Sequence, residues 1–169
     1  MTERFCLRVA EPKDDTTISA LLEASYTKLL AIGYEPDLMA KVLPLVTKAN
    51  SQLLASGTYY VVQTQLGCVI GCGGWSKEQP GTGKIRRGEA HIRHFATHPD
   101  WTRQGVGRAL LTRCLQDANA AAVRVLQCYS SVVAVDFYRA SGFVVIRSIP
   151  MQLTSDISLP GILMRRKLP

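Results

Sequence analysis

The sequence predicts a mixed α/β fold, a sheet flanked by helices. Three observations carry that expectation. Strand-like runs of period two alternate with helix-like runs of period 3.6 along the 169 residues. Glycine and proline punctuate the ends of these runs. A composition of 47% hydrophobic and 20% charged residues is that of a globular chain rather than a disordered or coiled-coil one. This length suits one core, so a single domain over residues 1–169 is expected.

The elements follow in order. Phe5-Cys6-Leu7-Arg8-Val9 alternates as a first strand, and Asp14-Asp15-Thr16 supplies capping chemistry for a helix whose inner face is Ile18, Leu21, Leu22 and Ser25. Glu35-Pro36-Asp37 opens a second helical stretch running to Ala55, kinked or divided at Pro44 and stopped by Gly57. Residues 58–64 and 68–75 are strand-like and joined by Gln65-Leu66-Gly67, which makes a hairpin. Lys77 to Gly88 is a polar loop, and Glu89 to Thr97 a strand ended by His98-Pro99. Leu110, Leu111, Cys114, Leu115 and Ala118 define a helix from Gly107 to Ala121. A strand at 123–128, a helix from Val132 to Ser141 and strands at 143–153 and 161–168 complete the order β-α-α-β-β-β-α-β-α-β-β.

Charge and cysteines narrow the partners. Twenty Lys and Arg against thirteen Asp and Glu give +7, a surface that attracts phosphate, whether in nucleic acid, membrane or a polyanionic cofactor. Much of the excess lies between Lys84 and Arg113. Lys84-Ile85-Arg86-Arg87 has no interleaved aromatics and matches no groove-reading module, so no nucleic-acid partner is expected. The start Met1 to Leu7 is too short and charged for a signal peptide, and no run is apolar enough to span a bilayer; a soluble, cytoplasmic protein without membrane attachment is expected. Cys6, Cys68, Cys72, Cys114 and Cys128 form no C-x-x-C pair and read as small buried hydrophobes.

The chemistry gathers in Ile92 to Leu111: a strand, a basic loop with two glycines, then a helix. Glycines let backbone N–H groups converge on an anion, and a helix start adds about half a positive charge. The loop lacks a Walker Lys-Ser/Thr and the G-x-G-x-x-G spacing, because position 110 is Leu, which disfavours mononucleotide and dinucleotide folds. The segment resembles the acyl-CoA-binding motif of the GNAT N-acetyltransferase superfamily. The family pattern Arg/Gln-x-x-Gly-x-Gly/Ala falls on Thr102-Arg103-Gln104-Gly105-Val106-Gly107, with Thr102 replacing the usual Arg or Gln. A second match lies downstream, where Asn-x-x-Ala-x-x-Phe-Tyr-x-x-x-Gly-Phe becomes Ser131, Ala134, Phe137, Tyr138, Gly142 and Phe143, with Ser131 replacing Asn. Residues 58–168 carry the resemblance; the first 57 match only in element order.

The resemblance implies a GNAT-like fold: a strongly twisted, mixed, mainly antiparallel sheet with a central splay, flanked by helices. It implies an acetyl-CoA-dependent N-acetyltransferase acting on a primary amine in a ternary complex, with no metal. The residues it assigns to acetyl-CoA are Phe95, Ala96, Thr97, Arg103, Gln104, Gly105, Val106, Gly107, Arg108, Ser131, Ala134 and Phe137. Tyr138 falls where the family's acid protonates the sulfur of CoA, and His91 sits where its Glu or His base commonly lies, with Glu89 or water as alternatives. Strict alternation would put Glu89, His91, Arg93, Phe95 and Thr97 on one face and His94 on the other, which separates His91 from His94 and speaks against a metal site. Arg93 either orients substrate or pairs with Glu89. The acceptor, a small molecule or a peptide, is left open; Glu23, Glu35, Asp37 and Glu89 are the acids that could draw a cationic amine. A monomer or homodimer is compatible with the sequence, and a non-catalytic acyl-CoA sensor is the competing reading.

Overall fold

The computed structural model describes residues 4–169; Met1, Thr2 and Glu3, part of the charged start read above, lie outside the described residues. Seven strands form one sheet in the order β1-β2-β3-β4-β5-β7-β6, where β1 is Phe5–Val9, β2 Tyr59–Thr64, β3 Val69–Ser76, β4 Glu89–Thr97, β5 Val125–Ser131, β6 Val144–Gln152 and β7 Ser158–Lys167. Every neighbouring pair is antiparallel except β4 and β5, which run parallel. The helices are α1 Asp15–Ser25, α2 Pro36–Val46, α3 Ser51–Leu54, α4 Val106–Ala120 and α5 Val135–Arg139.

The two faces of the sheet bury different cores. Tyr60, Val62, Trp75, Ala90 and Ile92 pack against Leu110, Leu111 and Cys114 of α4. On the opposite face Tyr59, Val61 and Cys72 pack against Ile18, Leu21 and Leu22 of α1. The consecutive β2 residues Tyr59 to Val62 are therefore all buried, so this part of the strand reads in sequence as an apolar run rather than a clean alternation.

Most expected elements are present, and the departures have local causes. The helical stretch after Glu35 is divided: α2 ends two residues beyond Pro44, which cannot donate to the preceding turn, and α3 starts afresh with Asn50 Oδ1 accepting from Leu53 N–H. The helix expected from Val132 to Ser141 shrinks to α5, because residues before it make a turn closed by Ala134 N–H to the Ser131 carbonyl. The helical run after Ser25 continues as a π-helical turn, Tyr26–Leu30, that periodicity did not reveal. Cys72, Cys114 and Cys128 are buried as expected, but Cys6 and Cys68 are exposed: Cys6 lies on the edge strand β1 and Cys68 follows the hairpin turn. Among the described residues no helix is long and apolar enough to cross a membrane.

One ion pair ties β1 to the turn that leads into α1. The Arg8 guanidinium grips both carboxylate oxygens of buried Asp14 at 2.8 Å, and the same carboxylate accepts from Glu11 N–H. The hydrogen bonds from Arg8 hold the Asp14 pKa below the usual carboxylate range. A depressed carboxylate pKa contributes stability that is present above about pH 4, the unfolded value, and is lost as pH falls through the folded one. Asp14→Ala should therefore lower stability by about 2 kcal/mol at pH 7, with the deficit closing in acid, as measured by denaturant unfolding across pH.

Candidate active site

The sheet opens where its direction changes. β4 and β5 pair only at Glu89↔Val125, Ala90↔Leu126 and His91↔Gln127. Beyond His91 the two strands part into a V whose open end leads from Thr97 into the loop before α4. β4 also carries an extra residue against β3: Cys72 faces Ala96 but Gly74 faces Arg93. His94 takes up the bulge with φ of 48°.

The bulge overturns the expected alternation. Ahead of it Ala90 and Ile92 face α4, so Glu89, His91 and Arg93 share the opposite face. After it Phe95 packs into the α4 core and Thr97 Oγ1 lies toward Gly107, so neither shares a face with His91. His98 N–H donates to the Ile70 carbonyl on β3, and alternation then turns the N–H and C=O of Thr97 and Phe95 toward the gap. Ala96 pairs with Cys72, and its methyl joins the core under α1. Two tyrosines hold the bulge from the α1 side. Tyr59 Oη donates to the His94 carbonyl at 2.8 Å and Tyr26 Oη, from the π-helical turn, to the Phe95 carbonyl at 3.0 Å.

At the open end, the loop is shaped for an anion. Arg103 and Gly105 have φ of 61° and 88°, a left-handed pair that turns backbone N–H groups outward. Gly105 heads α4 without a side-chain cap, so the N–H groups of Val106, Gly107 and Arg108 have no partner within the helix. Arg103 and Arg108 are exposed and form no ion pair with described residues. A cavity of about 440 Å³ runs from Gly105 and Arg108 along α4 to Thr112 and Gln116. The other polar side chains of the loop are occupied: Thr102 Oγ1 donates to the Pro99 carbonyl and Gln104 Nε2 to the Asp100 carbonyl. Gly107 has a packing role, since a Cβ there would lie 3.2 Å from the Phe137 ring.

The far wall of the V is β5 and α5. Ser131 ends β5 opposite Gly161, and Ala134 accepts the first α5 hydrogen bond, from Tyr138 N–H. Tyr138 is 5% exposed, edge-on to Phe137 and Phe143 and near Phe95. Burial first, then the neighbouring Cys128 thiol, pushes its hydroxyl pKa well above the ordinary range, so it stays protonated. His91, 4% exposed, lies by the Tyr129 ring with centroids 6.0 Å apart, and its Nδ1 is buried without a hydrogen-bond partner. Burial lowers its pKa to about 4, against some opposition from Glu89. The ring is therefore neutral throughout the neutral range. Glu89 accepts from Gln127 Nε2 at 2.8 Å where the strands are still paired.

Tyr26, Tyr59 and Tyr129 were not singled out from sequence. Tyr26 sits on a helix and Tyr59 in an apolar strand, where both look like core residues; the π-helical turn that aims Tyr26 leaves no mark in the periodicity. Among the described residues no group of three or more His, Cys, Asp or Glu is gathered for a metal ion.

Comparison with known proteins gives consistent results. A family model for the acetyltransferase (GNAT) domain matches residues 41–153, more than half of the chain. No curated protein matches. Among solved structures, a GCN5-related N-acetyltransferase from Rhodopseudomonas palustris aligns with TM-score 0.78 at 20% identity, covering 99% of this chain and 98% of that one. PaiA N-acetyltransferase from Thermoplasma acidophilum, in complex with coenzyme A, aligns with TM-score 0.71 at 16% identity, covering 98% and 99%. A phosphinothricin acetyltransferase from Sinorhizobium meliloti, in complex with acetyl-CoA, aligns with TM-score 0.66 at 19% identity, covering 98% and 89%. At these identities the likeness speaks for the fold.

Proposed function

Because the chain belongs to the GNAT acetyltransferase family, which uses acetyl-CoA, we propose that it moves the acetyl group to a primary amine by direct attack, acting as a single catalytic domain. The observation that carries this reading is the V between β4 and β5 with an uncapped helix start at its mouth. The amides of residues 105–108, with Arg103 and Arg108, suit a pyrophosphate; the gap-facing groups of Phe95 and Thr97 suit an extended amide-bearing arm.

The residues divide the proton work. The acceptor nitrogen forms a bond to the acetyl carbon and gives a proton to His91 Nδ1, directly or through one water. As the C–S bond breaks, the departing sulfur takes the proton of Tyr138 Oη. Backbone N–H groups of β4 beside the bulge polarise the carbonyl, and rigid donors of this kind are often the largest contribution to such catalysis. Glu89, tied to Gln127, favours positive charge on His91 rather than receiving the proton itself. A covalent acetyl-cysteine route is disfavoured, because burial raises Cys72 and Cys128 to about 12 and removes their thiolates at neutral pH.

The test is thiol release from acetyl-CoA over a broad amine panel, followed by mass spectrometry of protein quenched without acceptor. Amine-dependent thiol release with no acetylated cysteine is expected. Binding without turnover over the whole panel would favour an acyl-CoA sensor, and acetyl on Cys72 or Cys128 would overturn direct attack. His91 adds a pH test. With its pKa near 4, kcat/KM should show no enzyme inflection near pH 6.5 and should rise with pH only as the amine deprotonates. His91→Ala should lose about 100-fold at pH 7 and recover part of that at high pH, where the amine is already neutral. A wild-type inflection near 6.5 that vanishes in the variant would contradict the buried, neutral imidazole.

A further inference from the structure

Arg93 is a half-buried cation without a counter-ion. It lies two residues beyond His91 on the same face of β4, ahead of the bulge. Its Nη1 donates to Ser76 Oγ at 2.8 Å, and no carboxylate stands within ion-pair distance among the described residues. Glu89, the partner open to it from sequence, is engaged by Gln127 instead. Glu78 and Tyr59 are near enough to favour its charge, and neither bonds to it. Buried charge is costly unless paired. Elsewhere, buried Asp14 has Arg8, and Arg113 has Asp117. Next to Arg93 the Nδ1 of His91 is likewise buried and without a partner.

We propose that the acceptor is a small amine carrying a carboxylate, such as an amino acid, with the carboxylate on Arg93 and the amine at His91. This rests on the acetyltransferase reading and names its substrate class. Residues i and i+2 of a strand are about 6.6 Å apart, a span that the amine and carboxylate of one amino acid can bridge between converging side chains. The planar guanidinium keeps N–H groups beyond the one given to Ser76, and these match a carboxylate in bidentate fashion. A polyamine would set a second ammonium against Arg93 and be disfavoured.

The test uses matched pairs: phenylalanine with 2-phenylethylamine, ornithine with putrescine, and the other standard amino acids with their decarboxylated amines. Thiol release from acetyl-CoA is followed for wild type, Arg93→Gln and Arg93→Lys, and acetyl-CoA-induced thermal shifts confirm that each variant is folded. Wild type should prefer the carboxylated member in kcat/KM by at least about tenfold, as expected for a charge-assisted hydrogen bond. Arg93→Gln should bring that ratio to about one, mainly through KM of the carboxylated member, and Arg93→Lys should keep a preference. Acetylation of the decarboxylated amines at equal or higher kcat/KM, or a preference untouched by Arg93→Gln, overturns this proposal while leaving the acetyltransferase reading intact. Acetyl-CoA binding with no amine of the panel acetylated overturns the acetyltransferase reading and the proposal with it.

Discussion

Tyr138→Phe should lower kcat by about 100-fold, the low end of what a positioned acid contributes, while acetyl-CoA affinity changes by less than about threefold. The separation follows from the surroundings of the ring. Its faces and edges meet Phe95, Phe137 and Phe143, and phenylalanine keeps all of those contacts. Only the hydroxyl is lost, and burial keeps that hydroxyl protonated and ready to donate. Initial-rate kinetics paired with calorimetric binding of acetyl-CoA read the two effects separately. Equal loss in kcat and affinity would make Tyr138 a packing residue; no loss in either would remove it from the proton path.

Gly105→Val is expected to weaken acetyl-CoA binding by tenfold to about 100-fold, the loss of one or two charge-assisted hydrogen bonds. The position has φ of 88°, where a β-branched side chain is strained by about 1–2 kcal/mol. A Cβ built there meets nothing within 4 Å, so the added side chain projects into the open space before the helix start rather than into the core. The fold should therefore survive with a modestly lower melting temperature. Substitution at Gly107 should behave differently. A Cβ there presses on Phe137, so stability should fall along with binding. Unchanged acetyl-CoA affinity in Gly105→Val would contradict the assignment of the loop.

The anion loop was legible because its determinants are local: two glycines, flanking arginines and a helix period that begins beside them. The order of elements along the chain was legible for the same reason, since each run carries its own period and stops. What escaped was set by contacts distant in sequence. The extra residue at His94 exists only relative to β3, so alternation along β4 assigned Phe95 and Thr97 to the wrong face. Arg93 could not be separated from Glu89 until Gln127, 38 residues further on, was seen to hold that carboxylate. The resemblance assigns Gln104 to the ligand, yet its side chain bonds to the Asp100 carbonyl of the preceding turn. His91 showed its chemical type but not its burial, which moves its pKa by more than any neighbouring charge.

Thermal unfolding of the wild-type chain titrated with acetyl-CoA, with free CoA, ATP and NAD as parallel ligands, bears on the whole assignment of the V and its loop. Binding to the native state alone at about 100 times Kd adds about 2.7 kcal/mol, a rise in Tm of roughly 5–11 °C for a chain of this size. The structure predicts that rise for acetyl-CoA and CoA and its absence with ATP and NAD. No shift with saturating acetyl-CoA, or an equal shift with all four ligands, would contradict the placement of acetyl-CoA between β4 and β5.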